Sequence, residues 1–552
     1  MAMQILFSVF GGLGIFLLGM RQMSNGLQAI AGESLRRIIN LLTSNRIVAV
    51  IVGFVITGII QSSSVTTVMV VGFVNAGLMT LVQAVGIIMG ANIGTTVTGW
   101  IIAFSITKYA LPMIAIGAFF NLFAKREALQ IWGQALYGLG MVFFGIVLMT
   151  DGFAPLKDSQ TVVAVLQKFG AASLGNLLLT ILVGMLVCML IQSSSAFIGI
   201  IMAMAATGLL SFPTSVALVL AAEIGTTITA QLAAIGTNVT AKRAARAHML
   251  FNVLGVILMV AIFSKYVHFI DYLVPENPDL VSGDGSKPYI MTHIAMAHTV
   301  FNVTMVLVLL PLVKQLAALA SLLVPKRGKE EKHLLVVDDL LLSTPSIAVE
   351  QARQEAILMG RTVREMLAQG IGLYQMEKGR TTLAREIIKT EIEVDHIQRD
   401  LTIFLSKLTQ TTLTSEESEE VRALVRIADE LESIGDYAEN LAKYYIRSKN
   451  EGQTFSEEAR EDLKRVGRHV LEFYDFVYEA LKKNDHTLLP ETKTKGDIIN
   501  QIADQVREAH ILRFNDGNCN PMASIIFSDI VVALRRSKNH TVNVAEAIAR
   551  KV

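Results

Sequence analysis

A chain of 552 residues is longer than one hydrophobic core usually serves, so more than one folding unit is expected. Its charge is uneven: residues 1–325 hold 15 Lys/Arg against 9 Asp/Glu, and residues 326–552 hold 33 against 38, giving net charges of +6 and −5. This distribution argues against a nucleic-acid-binding tail and indicates two solvents, lipid and water, while two distant cysteines, Cys188 and Cys519, make neither a disulfide framework nor a metal motif.

In chain order, apolar stretches with few or no charges cover 5–20, 47–60, 65–106, 110–124, 131–150, 177–190, 196–220, 249–263 and 294–313. Those of about 20 residues suffice to span a bilayer. Others are shorter, or are interrupted by Gly, Ser and Thr, which is the pattern of broken or re-entrant helices. Residues 1–20 lack a basic start and run into a transmembrane pattern, so no cleavable signal peptide is expected.

Residues 61–98 and 192–229 align without a gap at an offset of 131, with 13 of 38 positions identical. The identities gather in polar ends: Gln61-Ser62-Ser63-Ser64 against Gln192-Ser193-Ser194-Ser195, and Ile93-Gly94-Thr95-Thr96 against Ile224-Gly225-Thr226-Thr227. Chance likeness between membrane segments does not readily duplicate two polar tetrads at one spacing, so the sequence reads as a duplication. Upstream, Gly12, Gly14 and Gly19 face Gly138, Gly140 and Gly145 at an offset of 126. A weaker echo joins Ala247-His248-x-x-Phe251-Asn252 to Ala297-His298-x-x-Phe301-Asn302.

Loop charge orients the halves. A loop with Arg21, Arg36, Arg37 and Arg46, one with Lys125 and Arg126, and one with Lys242, Arg243 and Arg246 are placed inside, leaving Lys108, Lys157, Lys168, Lys265 and Lys287 outside. The first loop and its repeat partner, 151–168, then lie on opposite sides, which defines an inverted duplication.

Hydroxyls and amides inside apolar runs must find partners where no water is available. Helix breaks at the two tetrads would present backbone N–H groups and positive helix ends to an anion, while hydroxyl and carbonyl oxygens suit an alkali cation. The 90–96 segment, with Asn92, Thr95 and Thr96, has two glycines to permit a break, and its partner carries Glu223, Thr226 and Thr227. The competing reading of each segment is tight packing through small residues, with hydroxyls bonded to their own helix. Glu223 is the one acid deep in the apolar segments; cation ligation, protonation coupling and a merely protonated or water-exposed helix end all remain open for it.

Two QSSS motifs, the first followed by GANIGTT and the second by AAEIGTT, resemble the type II sodium-phosphate cotransporter family over roughly residues 5–320. The resemblance implies sodium-driven uptake of inorganic phosphate by alternating access. By motif position it implies that Gln61, Ser62, Ser63, Ser64, Gln192, Ser193, Ser194 and Ser195 line the substrate and sodium site, joined by Asn92, Thr95, Thr96, Glu223, Thr226 and Thr227. The chain departs from the family pattern at Glu223, where its first repeat has Asn92.

Beyond a linker at 326–346, apolar residues recur at helical spacing among Glu, Lys and Arg, predicting about six amphipathic helices in a bundle. Matches at an offset of 107, such as Arg353 with Arg460 and Gly360 with Gly467, suggest two three-helix halves. Arg426-x-Ala428-Asp429-x-x-Glu432-x-Ile434-Gly435-Asp436 resembles the signature of PhoU, a phosphate-signalling regulator whose acidic helices hold metal clusters. That resemblance implies a divalent, iron or zinc site at Asp429, Glu432 and Asp436, set against a plain solvated acidic face.

The expected fold is therefore all-α: a polytopic membrane protein with two inverted repeats containing re-entrant or broken helices, followed by a soluble PhoU-like helical bundle. Repeat 1 is placed at 1–126, repeat 2 with an additional transmembrane helix at 127–325, and the PhoU-like domain at 347–552. A bacterial inner membrane with a cytoplasmic C-terminal domain is expected, with sodium and inorganic phosphate as partners in a lipid bilayer, no nucleic acid, and a homodimer as a further expectation. A nucleophilic serine needs a nearby base, and His248, His293 and His298 sit in no catalytic motif, so no enzyme is expected. The remaining alternative is a membrane phosphate sensor that binds without transporting.

Overall fold

The computed structural model describes residues 2–40, 45–75, 79–104, 107–166, 168–235, 237–283, 286–325, 342, 345–375, 380–411, 413–516 and 519–549. The chain divides into two compact units, Met1–Ile347 and Ala348–Val552. Residues 326–341 of the expected linker lie outside the described residues. Helices dominate both units, and no strand occurs among the described residues.

Unit 1 runs α1 (Ala2–Asn40), α2 (Arg46–Ile60), α3 (Ser63–Asn75), α4 (Leu81–Ala103), α5 (Ala110–Phe123), α6 (Glu127–Phe153), α7 (Gln160–Leu166), α8 (Leu174–Ile191), α9 (Ser194–Ala206), α10 (Phe212–Gly225), α11 (Thr227–Ala233), α12 (Val239–Ala261), α13 (Phe263–Leu273), α14 (Ile290–Leu309) and α15 (Val313–Leu323). Seven of these stretches among the described residues are long and apolar enough to cross a bilayer: Met3–Ala31, Leu81–Ala103, Glu127–Asp158, Leu174–Ile191, Phe212–Ala233, Val239–Ala261 and Ile290–Leu309. Helices satisfy their own backbone groups, which lipid demands of any spanning segment. Arg21, expected in a loop, instead lies within α1, which continues as helix to Asn40.

The matched glycines explain how the halves meet. A Cβ on Gly19 of α1 would lie 2.8 Å from Gly138 O of α6, and one on Gly145 would lie 2.7 Å from Gly12 O. Since Gly12 corresponds to Gly138 and Gly19 to Gly145, each glycine meets the counterpart of the other, as two equivalent helices crossing about a local two-fold axis do. The α2–α4 contact has its equivalent in α8–α10, where a Cβ on Gly184 would lie 2.8 Å from Ala221 Cβ.

One expectation fails in α4. The helix runs unbroken through 90–96, and Gly90 serves packing: a Cβ there would stand 1.9 Å from Val50 O on α2. The counterpart segment does divide, at Thr226 between α10 and α11.

Unit 2 contains α16 (Pro345–Gly372), α17 (Arg380–Leu408), α18 (Ser415–Asn450), α19 (Glu457–Lys483), α20 (Leu489–Asn515) and α21 (Pro521–Ile548) among the described residues. Their amphipathic faces close over Phe404, Phe473 and Phe527, each almost wholly buried. Thr414 and Glu417 form a reciprocal capping box that fixes the start of α18, and Ser456 caps α19.

Candidate functional site

Both tetrads sit at helix interruptions. α2 ends at Ile60 and α8 at Ile191; the next residues, Gln61 and Gln192, turn left-handed at φ 58° and φ 56°. Their N–H groups close back on Thr57 O at 2.7 Å and Cys188 O at 2.8 Å. A left-handed cap is a place glycine fills without strain, and a side chain there costs about 1–3 kcal/mol unless the surroundings impose it. The following serine restarts the helix in each half: Ser62 Oγ accepts from Val65 N at 3.3 Å, and Ser193 Oγ accepts from Ala196 N at 3.2 Å.

A cavity of about 270 Å³ brings the two interruptions together. Gln61, Ser62, Ser63 and Ser64 line it with Gln192, Ser193, Ser194 and Ser195, although the tetrads are 131 residues apart in sequence. The first turns of α3 and α9 both open into it, so unpaired backbone donors and the positive ends of two helix dipoles share one space. At roughly 30 Å³ per liquid water, that volume holds a small oxyanion together with an ion or several waters.

α1 supplies the remaining polar wall with Arg21, Ser24 and Asn25. The lining thus carries one guanidinium and no carboxylate. Ser24 Oγ donates to Ile60 O at 2.5 Å, satisfying a carbonyl freed where α2 stops, and Gln28 Nε2 donates to Ser24 Oγ at 2.8 Å. Asn25 Oδ1 is buried without a hydrogen-bond partner. These three residues were missed by the sequence reading, which placed Arg21 in a loop; their spacing on one helix face was the available signal.

Two further threonines tie down the first tetrad. Thr98 Oγ1 donates to Gln61 Oε1 at 2.9 Å, and Thr229 Oγ1 donates to Ser64 Oγ at 3.3 Å. They are repeat mates at the same offset of 131 and the last identity of the aligned segments, a signal the sequence reading passed over.

The other candidate residues lie outside this lining. Thr95 and Thr96 donate to Ala91 O and Ile93 O of their own helix at 3.1 and 2.7 Å, and Thr227, at the start of α11, donates to Ile224 O of α10 at 2.8 Å. Thr226 Oγ1 is buried without a partner. Asn92 Nδ2 donates to Asn252 Oδ1 at 3.3 Å, whereas Glu223 Oε1 accepts from Asn302 Nδ2 at 2.7 Å and stands 3.0 Å from His298 Nε2.

In unit 2, Gln398 Nε2 donates to Asp429 Oδ1 at 2.6 Å. Desolvation, then the neighbouring charges of Asp436 and Asp395, raises the Glu432 carboxyl; desolvation and Asp395 likewise raise Asp436. Among the described residues no three His, Cys, Asp or Glu side chains converge as a metal-holding group.

The fold and this cavity define a class: an all-helical, multi-pass membrane protein of a transporter family, carrying a second helical unit. The chain belongs to the Na+/Pi-cotransporter family, whose sequence pattern matches residues 15–151 and 159–274, and the PhoU domain pattern matches 357–445. It is 32% identical over 325 residues to YqeW of Bacillus subtilis, an uncharacterized protein, covering 59% of this chain and 100% of YqeW. It is 23% identical over 522 residues to YjbB of Salmonella typhimurium, provisionally named an inorganic phosphate export protein, covering 94% of this chain and 92% of that one. Over 97 residues it is 36% identical to the sodium-dependent phosphate transport protein 2A of Rattus norvegicus, 17% of this chain and 15% of that one. No solved structure matches the chain.

Proposed function

We propose that this protein carries inorganic phosphate across the bacterial inner membrane by sodium-coupled symport, through alternating access about the tetrad cavity. The observation that carries the reading is the meeting of two equivalent helix interruptions in one polar space. Phosphate is placed against the N-termini of α3 and α9 and the Arg21 guanidinium, where charge and donors are complementary to an oxyanion. Sodium is placed among the neutral oxygens of the serines, Gln61, Gln192 and Asn25, which are hard ligands of the kind alkali cations take. The two-fold crossing of α1 and α6 supports an inverted repeat, whose halves would rock about the fixed site. The name of the mammalian relative supports sodium as the coupled ion.

The names of the bacterial relatives that span both units favour a second reading, phosphate export. Purified protein in proteoliposomes distinguishes these. The symport reading expects radiolabelled phosphate to accumulate against its gradient when a sodium gradient is imposed, and to stop doing so when choline replaces sodium. Phosphate movement indifferent to sodium would favour export or uniport, and retained phosphate binding without movement would favour a sensor. The PhoU character of unit 2 supports a cytoplasmic regulatory role for it.

A further inference from the structure

The two halves are equivalent at the tetrads but differ in ionisable character at the buried pair Asn92 and Glu223. Asn92 on α4 and Glu223 on α10 are repeat mates, each buried, and each meets the asparagine of an Ala-His-x-x-Phe-Asn segment: Asn252 on α12 and Asn302 on α14. The segments are built alike, since Asn252 Nδ2 donates to His248 O at 3.2 Å and Asn302 Nδ2 to His298 O at 3.1 Å. Only the second environment combines a carboxyl group with an imidazole in contact, His298 Nε2 standing 3.0 Å from Glu223 Oε1. Both side chains are at least nine-tenths buried.

We propose that Glu223 and His298 form a proton-binding site, through which pH acts on transport. The second half of this inference rests on the transport reading above; the first does not. Glu223 Oε1 already receives Asn302 Nδ2 and faces His298 Nε2, so the imidazole proton on Nε2 is held between the two groups. His298 Nδ1 is buried and without a partner, and it lies 3.6 Å from where a Cβ on Gly99 of α4 would stand. A proton arriving from water bonds to the Nδ1 lone pair, giving imidazolium against carboxylate with no net charge. Its return to water leaves neutral imidazole against carboxylate, one negative charge in a buried place. Burying an uncompensated charge is costly, so the exchange couples the proton to the packing around it.

The placement makes that coupling felt by both halves. α14 packs against α4 and α10, and Trp100 Nε1 of α4 donates to Thr299 Oγ1, the residue after His298, at 2.9 Å. The other titratable groups around the pair are Cys188 on α8, Tyr266 on α13, His248 on α12, and His293 on α14, whose Nε2 lies 3.7 Å from Asp271 on α13. Helices α4, α9 and α11 contribute no ionisable side chain.

The test uses the full-length purified protein and four variants: E223N, which copies the first half, E223Q, H298N and H298Q. In detergent, pH-difference infrared spectra between about pH 5 and 8 are expected to contain a carboxyl or imidazole band that every one of the four variants loses or displaces. Spectra identical to wild type in all four would overturn the proton site. In proteoliposomes, wild-type phosphate flux is expected to change several-fold across that range after correction for the second ionisation of phosphate, which acts on every variant alike. The E223N and H298N proteins are expected to retain only that ionisation. An unaltered pH profile in folded variants would overturn the link to transport while leaving the infrared result standing. Failure of wild-type protein to move phosphate, with the infrared band present, would instead sink the transport reading and keep the proton site.

Discussion

Gln192 pairs a strained backbone with a side chain exposed in the cavity, so two substitutions separate the effects. Gln192→Gly removes the left-handed penalty and is expected to stabilise the fold by about 1 kcal/mol while lowering sodium affinity, and through the coupling phosphate affinity, by loss of the amide oxygen. Gln192→Ala keeps the strain and loses the same amide, so its affinity falls without the gain in stability. Thermal unfolding of the purified protein read beside phosphate KM checks both; equal melting temperatures for the two variants would remove strain from the account. Glu355 in unit 2 gives a pH prediction of definite sign. Burial pushes its carboxyl from 4.5 up to about 8, and its Oε2 has no partner. The native state holds the proton more tightly than the unfolded one. That contribution is fully present below about pH 4.5 and is lost as pH rises through about 8, so stability declines across this window. Glu355→Gln, neutral throughout, should flatten the decline, with wild type and variant alike near pH 5 and the variant more stable at pH 8. The sequence named the tetrads because polar identities survive where apolar filler drifts. It hid Arg21, Ser24 and Asn25 because a lone helix face contributes to a site only once its neighbours are known.

The glycines of α1 and α6 were legible as a repeat, but their individual roles were not. Gly14 and Gly19 read alike in sequence, yet a Cβ on Gly14 would meet nothing within 4 Å, whereas one on Gly19 would meet Val142 N at 2.6 Å. Backbone-to-backbone contact leaves no flexible atom to yield. Gly138→Leu, whose Cβ would lie 2.2 Å from Met23 N, is expected to cost about 1–3 kcal/mol or abolish folded yield, and Gly14→Ala to be neutral or slightly stabilising. Detergent-solubilised yield and melting temperature measure the contrast, and equal losses would refute the close crossing. The same physics misled the reading of 90–96. Glycines that permit a helix to break also permit a neighbour to approach, and only the position of α2, with Val50 O against Gly90, decides between them. The tetrad interruptions were more readable because three hydroxyls in an apolar run offer the backbone an alternative to the helix, as the Ser62 and Ser193 caps do here.

At the scale of the whole chain, the cavity residues and the PhoU pattern fall in different units. The tetrads, Arg21 and the Glu223 pair all lie in unit 1. YqeW matches this chain along its entire length over only 325 residues, fewer than the 347 of unit 1. A membrane unit with a hydrophobic core of its own should fold and work alone. A chain ending at Val324, the last residue of the α15 cap, is therefore expected to reconstitute with phosphate flux within a few-fold of full length. What it should lose is any response of that flux to phosphate supplied on the unit 2 side, because the PhoU pattern lies in unit 2. Flux assays on both chains in vesicles preloaded with graded phosphate give the comparison. Loss of all flux from a well-folded truncated chain would mean that unit 2 completes the transport machinery, and identical responses of both chains to internal phosphate would mean that it does not regulate it.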